Sequence, residues 1–442
     1  MKKLEWSGPK PDLLALKANR PDRYPAFFST GSRAGWDILF AFPQLPTTLR
    51  VGDNQSAVAD FFEQFPSLPG RGQLPAGFSS TAAFPFTGGW LLAFSYELGG
   101  QLEPAAGLPG TDDFPLAYAV RIPAAILFDR EQEMTWLIAE PDYADCLQQM
   151  QRDLAAAPMQ QQALPAFKLV EDDPGNFLDG VSRIKSYIHD GDVFQVNLSR
   201  GWHVQFETPP APAALFQRLN QRNPAPFSAM LDMDGWTIVS SSPERLVRVE
   251  QNGKVLTRPI AGTHPRSTDA NEDAALRQRL QSHPKERAEH IMLVDLERND
   301  LGRVCEPGSV RVEALMELTS YAHVHHLEST VSGQLRTGTQ LHELMRAIFP
   351  GGTITGCPKV RTMQIIRELE ESPRRAYTGS LGYINLDGTL DLNILIRSFL
   401  LKQNQAWFRT GAGIVADSEP LRELAETRAK AKGLLKTLEN GA

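Results

Sequence analysis

The sequence predicts an α+β fold in which antiparallel sheets carry helices on their outer faces. Two observations support this class. Up to about residue 165, short apolar runs such as residues 90–96 and 124–128 stand between turns rich in proline and glycine, which is typical of strands. From Asn176 onwards, stretches with helical period mix with strand-like stretches that follow one another through glycine and aspartate turns. Strands joined by such turns favour antiparallel pairing, with helices covering the sheet faces.

The individual elements follow from hydrophobic periodicity. Residues 150–166, with Gln-Gln-Gln and two prolines, are interpreted as a linker between an N-terminal region, 1–165, and a second region, 176–438. In the second region, apolar spacing predicts helices over residues 177–188, 274–281, 285–295, 341–348, 360–371 and 421–438. Strands are predicted over residues 193–204, 236–240, 377–385, 390–401 and 406–410.

Composition and charge narrow the class of protein. The chain has 442 residues, of which 42% are hydrophobic and 22% are charged, as in an ordinary globular protein with a sizeable core. Its net charge of −7 argues against nucleic-acid binding. Three scattered cysteines, Cys146, Cys305 and Cys357, form neither a disulfide framework nor a metal knuckle, and no apolar run reaches the length of a membrane span. We therefore expect a cytoplasmic protein with reduced thiols.

Two predicted helices carry carboxylates at a spacing that suits a divalent cation. Glu423, Glu426 and Lys430 stand at i, i+3 and i+7, which places them on one helix face. On another helix, Glu286 and Glu289 stand at i and i+3. Such carboxylates can hold Mg²⁺ together with substrate oxygens and water, and the lysine can hold an anion. For each pair taken alone, a solvated charged helix face is the alternative.

The adjacent histidines His325 and His326 raise the question of a zinc site. Neighbouring residues of a strand point to opposite faces, however, and the sequence offers no third ligand at a useful spacing. One histidine that points into a cleft as a general acid is the better interpretation, and a hydrogen-bonded structural histidine is the alternative.

Several glycine-rich segments suggest a cleft that binds an anion. The stretch 349–361 resembles a phosphate loop, but its glycines and lysine are wrongly spaced, so it is interpreted as a turn-rich wall of an active site. Tight turns are predicted at residues 258–263 and 411–413, where backbone N–H groups could approach an anion closely. Arg397 and Lys430 would supply positive charge to the same cleft.

Four long motifs identify a family that the chain resembles. They are Pro259-Ile-Ala-Gly-Thr263, Glu286-Arg-Ala-Glu-His-Ile-Met-Leu-Val-Asp-Leu-Glu-Arg-Asn-Asp300, Gly356-Cys-Pro-Lys-Val-Arg361 and Glu426-Thr-Arg-Ala-Lys430. Over residues 176–438 the chain thereby resembles the chorismate-utilising enzymes, which include the large subunits of anthranilate synthase and aminodeoxychorismate synthase. Gly88-Gly-Trp-Leu-Leu-Ala-Phe-Ser-Tyr-Glu97 is similar to the family's N-terminal region. The resemblance implies an anthranilate-synthase-like fold: two packed, mostly antiparallel sheets, helices outside, and an active site in the central cleft.

The resemblance also implies roles for individual residues. A Mg²⁺ ion that grips the ring carboxylate of chorismate would be held by Glu289 and Glu423, with Glu426 and Glu286 adjacent. The groups expected to bind the substrate are Thr263, Arg397, Lys430, Gln195 and the backbone of Gly411, Ala412 and Gly413. His326 would assist the departure of the ring hydroxyl as a general acid, and Glu244 would help to protonate that hydroxyl.

Two positions concern the nucleophile. Water-using members carry a lysine general base at the position of Gln195, and because glutamine cannot deprotonate water, the amine-using branches fit better. At the position of Ala261, aminodeoxychorismate synthases usually carry a lysine that attacks ring carbon C2, whereas alanine is usual in anthranilate synthases. The stretches 194–199 and 349–358 instead resemble the aminodeoxychorismate branch. We expect that branch, with ammonia attacking the substrate directly.

The resemblance further implies a partner. The chain has no cysteine placed as a glutaminase nucleophile with an ordered His/Glu pair, so a separate glutamine amidotransferase subunit would deliver ammonia. The expected product is 4-amino-4-deoxychorismate, the precursor of 4-aminobenzoate and folate. Two alternatives stay open: an anthranilate-forming enzyme with the same kind of partner, and a non-catalytic chorismate-binding paralogue.

Overall fold

Two large sheets form the body of the molecule. The computed structural model describes residues 1–32, 34–70, 84–110, 113–155, 163–267, 269–282, 284–320 and 324–439, and at 263–265, 284–286 and 324 it describes the backbone but not the side chains. These residues contain 22 strands and 11 α-helices.

The strands are β1 (Lys2–Trp6), β2 (Ala26–Ser29), β3 (Trp36–Ala41), β4 (Thr47–Leu49), β5 (Gly89–Phe94), β6 (Ala117–Ile122), β7 (Ala124–Asp129), β8 (Met134–Ala139), β9 (Phe167–Glu171), β10 (Gln195–Phe206), β11 (Phe227–Met233), β12 (Trp236–Ser242), β13 (Arg245–Val249), β14 (Lys254–Thr257), β15 (Ile260–Pro265), β16 (Arg311–Ser320), β17 (Val324–Gln334), β18 (Gly356–Cys357), β19 (Ser380–Asn385), β20 (Leu390–Asn393), β21 (Ser398–Lys402) and β22 (Gln405–Ile414). The helices are α1 (Leu13–Asn19), α2 (Gln55–Glu63), α3 (Gly99–Leu102), α4 (Asp145–Leu154), α5 (Pro174–His189), α6 (Pro212–Arg222), α7 (Ala270–Ser282), α8 (Pro284–Gly302), α9 (Leu341–Ile348), α10 (Lys359–Leu369) and α11 (Pro420–Leu438).

Strand pairing joins distant parts of the chain. The first sheet has 12 strands in the order β1-β8-β7-β3-β2-β11-β12-β21-β22-β10-β18, with β9 beside β10. The second sheet has 10 strands in the order β15-β17-β14-β13-β20-β19-β5-β6-β4, with β16 beside β17. Since β2 pairs with β11 and β5 pairs with β19, both antiparallel, each sheet contains strands from both sides of residue 165.

Alternation along the strands produces a core between the sheets and further cores outside them. In β3, Phe40 faces the core between the sheets and Leu39 faces the outer core, and in β5 Leu91 and Leu92 divide in the same way. The outer core of the first sheet is completed by α1, α4, α6 and α11, and that of the second sheet by α2, α8 and α9. α5 and α10 pack beside β10. The predicted α+β class is confirmed.

Most predicted helices are present, and one predicted strand is wrong. α9 has the predicted bounds, and the predicted helix 285–295 continues to Gly302. The predicted strand 390–401 is two strands, since β20 lies in the second sheet and β21 in the first. Arg397 lies between them with φ of 51°, and this left-handed residue bends the chain from one sheet to the other.

Two predicted turns and the predicted linker also differ from the structure. Residues 411–413 lie inside β22, and residues 260–263 lie inside β15, where a bulge at Gly262, with φ of 74°, interrupts the register. The first residues of the predicted linker 150–166 belong to α4, where Met150 is fully buried against the outer core of the first sheet, and positions 156–162 of that linker lie outside the described residues. None of the described helices is both long and apolar enough to cross a membrane.

Candidate active site

The segment 351–357 joins two clusters of predicted site residues. At its end, Cys357 pairs with Gln195 across β18 and β10, and Asn197 N donates a hydrogen bond of 2.7 Å to Thr355 O. At its start, Thr353 Oγ1 donates a hydrogen bond of 2.7 Å to Glu244 Oε1. The predicted active-site wall therefore connects the strand that bears Gln195 to the loop that bears Glu244.

Glu244 and Arg397 are brought together by two chain crossings between the sheets. Glu244 lies between β12 and β13, and Arg397 lies between β20 and β21, so each stands where the chain leaves one sheet for the other. The crossings are hydrogen-bonded side by side, with Ser241 N donating to Arg397 O over 3.2 Å and Ile394 N donating to Glu244 O over 3.0 Å. This places a carboxylate and a guanidinium in one buried environment.

Burial shifts the protonation of Glu244 into the neutral range. The side chain is 5% exposed, and loss of solvent raises its pKa to about 7, against the opposing effects of the Thr353 hydroxyl, the backbone of Ile260 and the charge of Arg397. Burial also lowers the pKa of Arg397. A carboxyl group with a pKa near 7 can carry a proton at neutral pH and give it to a leaving group.

The two histidines of β17 have different surroundings. His325 is fully buried, with Nε2 3.0 Å from Asp273 Oδ1 and Nδ1 2.7 Å from Ser320 Oγ. Both of its ring nitrogens are therefore engaged by α7 and β16, which indicates a structural role.

His326 belongs to the same cluster as Glu244. Burial lowers its pKa to about 4, the charge of Arg397 acts in the same direction, and a hydrogen bond to the backbone of Gly262 opposes them. The imidazole is therefore neutral at pH 7. Its participation in the departure of a hydroxyl stays a prediction.

The second cluster is built on β10, β22 and α8. Gln195 Nε2 donates a hydrogen bond of 2.8 Å to Glu289 Oε1, and a Cβ atom on Gly413 would collide with that amide and come within 3.2 Å of the same carboxylate oxygen. Glycine at position 413 therefore keeps space open beside Glu289. Gln195 itself is 3% exposed.

Lys430 lies at the edge of this cluster. Its Nζ donates to Gly411 O over 3.0 Å and lies 2.8 Å from Glu426 Oε1, and both side chains of this ion pair are about half exposed. One turn earlier in α11, Glu423 is buried at 5% exposure. The two carboxylates of the helix thus have different surroundings: Glu426 pairs with a cation near solvent, and Glu423 faces the protein.

The remaining predicted residues contribute backbone or small side chains. Ala412 is fully buried, with its side chain in the core beside α5, so that only its backbone could meet a substrate. Ala261 is also buried and pairs with Leu327 in β17. Thr263 pairs with His326 through the backbone, and the side chains of Thr263 and Glu286 lie outside the described residues.

Carboxylates on two helices suit a hard cation by their chemistry. Glu289 and Glu423 supply the oxygen ligands that Mg²⁺ prefers, and the absence of a side chain at Gly413 leaves room next to Glu289. Among the side chains that the structure describes, no three or more His, Cys, Asp or Glu residues cluster as a complete metal site. The predicted magnesium site therefore depends on ligands beyond these, such as substrate oxygens, and it stays a prediction.

A family model described as chorismate binding enzyme matches residues 43–436. The chain belongs to the chorismate-binding enzymes. It is 41% identical over 357 residues to an anthranilate synthase component I-like protein of Synechocystis sp., covering 80% of this chain and 73% of that protein. It is 40% identical over 374 residues to an aminodeoxychorismate synthase component 1 of Bacillus subtilis, covering 80% and 78%. The crystal structure of anthranilate synthase component I from Streptococcus pneumoniae has a TM-score of 0.79 at 30% identity, covering 91% of this chain and 92% of that one. The anthranilate-synthase-like fold is thereby confirmed, and the chain is a chorismate-utilising enzyme.

Two buried carboxyl groups of α8, Glu297 and Asp300, were not predicted as part of the site. Glu297 and Asp300 follow Glu289 by eight and eleven residues on α8, so helical spacing alone could have placed them on nearly the same face. Burial, with the nearby charge of Asp300, raises the pKa of Glu297 to about 8. Lys359 Nζ lies 2.7 Å from Asp300 Oδ2 and also donates to the carbonyl groups of Ala347 and Ile348. Lys359 thus holds α8, α9 and α10 together.

A second missed group supports the wall from behind. The buried guanidinium of Arg374 donates to Asn197 O over 2.7 Å and to Ile354 O over 3.0 Å, and it pairs with Glu370. Arg374 N in turn donates to Glu97 Oε1 over 2.7 Å. The N-terminal region therefore helps to fix the strand that carries Gln195. Arg374 and Glu97 lie 277 residues apart in the sequence, and no local pattern predicts their contact.

Two cavities lie elsewhere in the two sheets, and none of the predicted site residues lines either of them. A cavity of about 880 Å³ lies among β2, β3, β13 and β20 and is lined in part by Phe28, Ser29, Phe227 and Tyr383. A smaller one of about 330 Å³ includes His203, Arg375 and Trp407. The cluster of shifted carboxyl and imidazole groups lies outside both of these cavities.

Proposed function

We propose that this chain is the chorismate-aminating large subunit of an aminodeoxychorismate synthase. The observation that carries amination is Gln195, an uncharged amide that contacts Glu289 at the position where water-using family members carry a lysine base. Within the amine-using enzymes, residues 194–199 and 349–358 favour the aminodeoxychorismate branch, which they resemble. Glutamine cannot take a proton from water at neutral pH, but ammonia needs no such base because, unlike water, it is a strong nucleophile before it loses a proton.

In the proposed reaction, ammonia forms a C–N bond at ring carbon C4 and the C4–O bond breaks. The departing hydroxyl takes up one proton and leaves as water, and the nitrogen loses one proton after attack, so that chorismate and ammonia give 4-amino-4-deoxychorismate and water. Glu244 is the proton donor that fits best, because its raised pKa allows it to hold a proton near pH 7. His326 lies in the same buried cluster and orients the leaving oxygen as a neutral imidazole.

Substrate carboxylates would be bound by positive charge and by backbone groups. Arg397 stands beside Glu244, and Lys430 stands over Gly411, so the two cations are carried by the two different clusters. Glu289 and Glu423 would hold Mg²⁺ with Glu426 and Glu286 adjacent, and bound Mg²⁺ would neutralise the ring carboxylate and help to orient chorismate. Gln195 orients Glu289 for this purpose through its 2.8 Å hydrogen bond.

Ammonia would come from a separate glutaminase subunit in the cytoplasm. The component 1 naming of the Bacillus subtilis relative is consistent with a partner component. With Ala261 in place of a lysine, the chain has no nucleophile there to form a covalent intermediate, so ammonia would attack chorismate directly.

Anthranilate synthesis is the second candidate, because alanine at position 261 is the residue usual in that branch and because relatives of both names are about equally similar. Product analysis separates the two. Purified protein is incubated with chorismate, Mg²⁺ and ammonium, with and without a lyase that converts aminodeoxychorismate to 4-aminobenzoate. We expect 4-aminobenzoate only when the lyase is present and no covalent adduct by mass spectrometry. Anthranilate fluorescence without the lyase would assign the second function, and no turnover at all would indicate a non-catalytic paralogue.

A further inference from the structure

Two amide side chains project side by side from the first sheet. Gln195 and Asn197 occupy alternate positions of β10 and therefore share one face of it. In the paired strand β22, Gly413 lies under the amide of Gln195, and a Cβ atom on Gly411 would come within 2.5 Å of Asn197 Oδ1. Glycine at both positions thus leaves the space over β22 to these two amides.

Each amide presents a buried oxygen that lacks a hydrogen bond. Because Gln195 Nε2 donates to Glu289, the orientation of the Gln195 amide is set and its Oε1 is directed elsewhere. Within the part of the chain that the structure describes, neither Gln195 Oε1 nor Asn197 Oδ1 has a hydrogen-bond partner, although both atoms are buried. Buried acceptors of this kind are rare because they lose hydration without replacement, so a pair of them on one face marks a place suited to a hydrogen-bond donor.

The position of Asn197 is fixed by its backbone. Its N–H donates to Thr355 O over 2.7 Å, and its carbonyl accepts from Arg374 Nη2 over 2.7 Å. Arg374 is itself buried and paired with Glu370. The backbone of Asn197 is therefore held in place, and its side chain projects from the face of β10 that also bears Gln195.

We infer that Asn197 and Gln195 together form the binding subsite for the ammonia nucleophile, with their two amide oxygens accepting N–H hydrogen bonds. This inference rests on the proposed function. Alternate residues of a strand are about 7 Å apart, so that both side chains can contact one small molecule. Ammonia has three N–H donors and one lone pair, so two hydrogen bonds to acceptors leave the lone pair free to attack the ring.

The test measures how the rate depends on ammonium and on chorismate separately. Asn197→Leu keeps the approximate shape of the side chain and removes the acceptor, and we expect it to raise the KM for ammonium by about 5–10-fold while the KM for chorismate changes by less than about twofold. Asn197→Ser keeps an oxygen acceptor and should raise the KM for ammonium less. As a matched control, His203→Asn changes the same face of β10 near its other end, beside the smaller cavity, and should leave both KM values unchanged.

The outcomes separate this inference from the proposed function. If wild-type protein shows no ammonium-dependent turnover of chorismate, the proposed function fails, and this inference fails with it. If the wild type turns over and the KM for ammonium is unchanged in folded Asn197→Leu, only the subsite is overturned. An equal rise in both KM values would likewise overturn it, because a distorted wall would weaken both substrates.

Discussion

The two sides of the candidate site carry different kinds of groups. On one side, Glu244 at a chain crossing and His326 in β17 are buried and titratable, and burial moves both toward their neutral forms, with pKa values of about 7 and about 4. On β10 and β22, the corresponding groups are the uncharged amides of Gln195 and Asn197 above glycines. The difference suggests that the two sides divide the reaction between them: one side transfers protons and the other positions the nucleophile.

The wall 351–357 makes this division possible. It contacts both sides, through Thr353 to Glu244 and through Thr355 to Asn197, and Gly352 packs against Leu296 of α8. Changes on the proton side should therefore appear in kcat and in its pH dependence. Changes on the nucleophile side should appear in the dependence on ammonium.

The largest effect is expected at Glu244. Glu244→Gln removes the proton donor and should lower kcat by roughly 10²–10⁴-fold. Since the acid form of Glu244 is present below its pKa of about 7 and is lost above it, the wild-type rate per free ammonia should fall as pH rises through that value. The variant should show no such fall. Rates are measured from pH 6 to 9 and corrected for the ammonia fraction; a variant that keeps the wild-type rate and profile would move the proton donor elsewhere.

The next effect concerns the carboxylates expected to hold Mg²⁺. Glu289→Ala or Glu423→Ala should lower turnover by at least ~10²-fold, because the metal that orients the substrate carboxylate would lose a ligand. Glu426→Ala is the matched control on the same helix and should be milder, since its carboxylate pairs with Lys430 near solvent. Turnover and calorimetric Mg²⁺ binding are compared. Near-normal turnover of Glu423→Ala in EDTA would contradict the assignment.

The adjacent histidines test the division within one strand. His326→Ala should lower kcat by about 10²-fold with little change in the KM for chorismate, as expected for a group that acts on the leaving oxygen. His325→Ala should instead lower the melting temperature, because it removes the contacts with Asp273 and Ser320, and its effect on kcat should be smaller. The reverse order of kcat effects would identify His325 as the reacting imidazole.

Local patterns predicted what depends on local structure. The bounds of α9 came out as expected because apolar periodicity and the Gln340–Glu343 capping contacts act within a few residues. The strand predicted over 390–401 was wrong because its apolar residues serve two sheets in turn, and the left-handed Arg397 gives no periodic signal. Glycines 411 and 413 suggested a turn, yet their function in β22 is to admit the amides of β10.

The candidate site could likewise be predicted only in part, because some of its contacts join residues that are distant in the sequence. Spacing on single helices indicated Glu289 and Glu423, and the resemblance supplied the roles of Glu244 and His326. Thr353 lies 109 residues from the carboxylate that it contacts, and the link from Arg374 to Asn197 spans 177 residues. Such contacts depend on which strands become neighbours in the fold, and a single sequence does not reveal that pairing.

The smallest predicted effect tests whether the two sides communicate through the wall. The hydroxyl of Thr353 donates to Glu244 and so stabilises its ionised form. Thr353→Val removes this hydrogen bond, which should raise the pKa of Glu244 further and move the alkaline fall in rate to higher pH by no more than about one unit. The maximal rate and the KM for ammonium should change little, because Asn197 and its contact with Thr355 are untouched. Thr353→Ser keeps the hydroxyl and should restore the wild-type profile. If the alkaline limb does not move in Thr353→Val, the group that titrates is not Glu244, and another group must donate the proton.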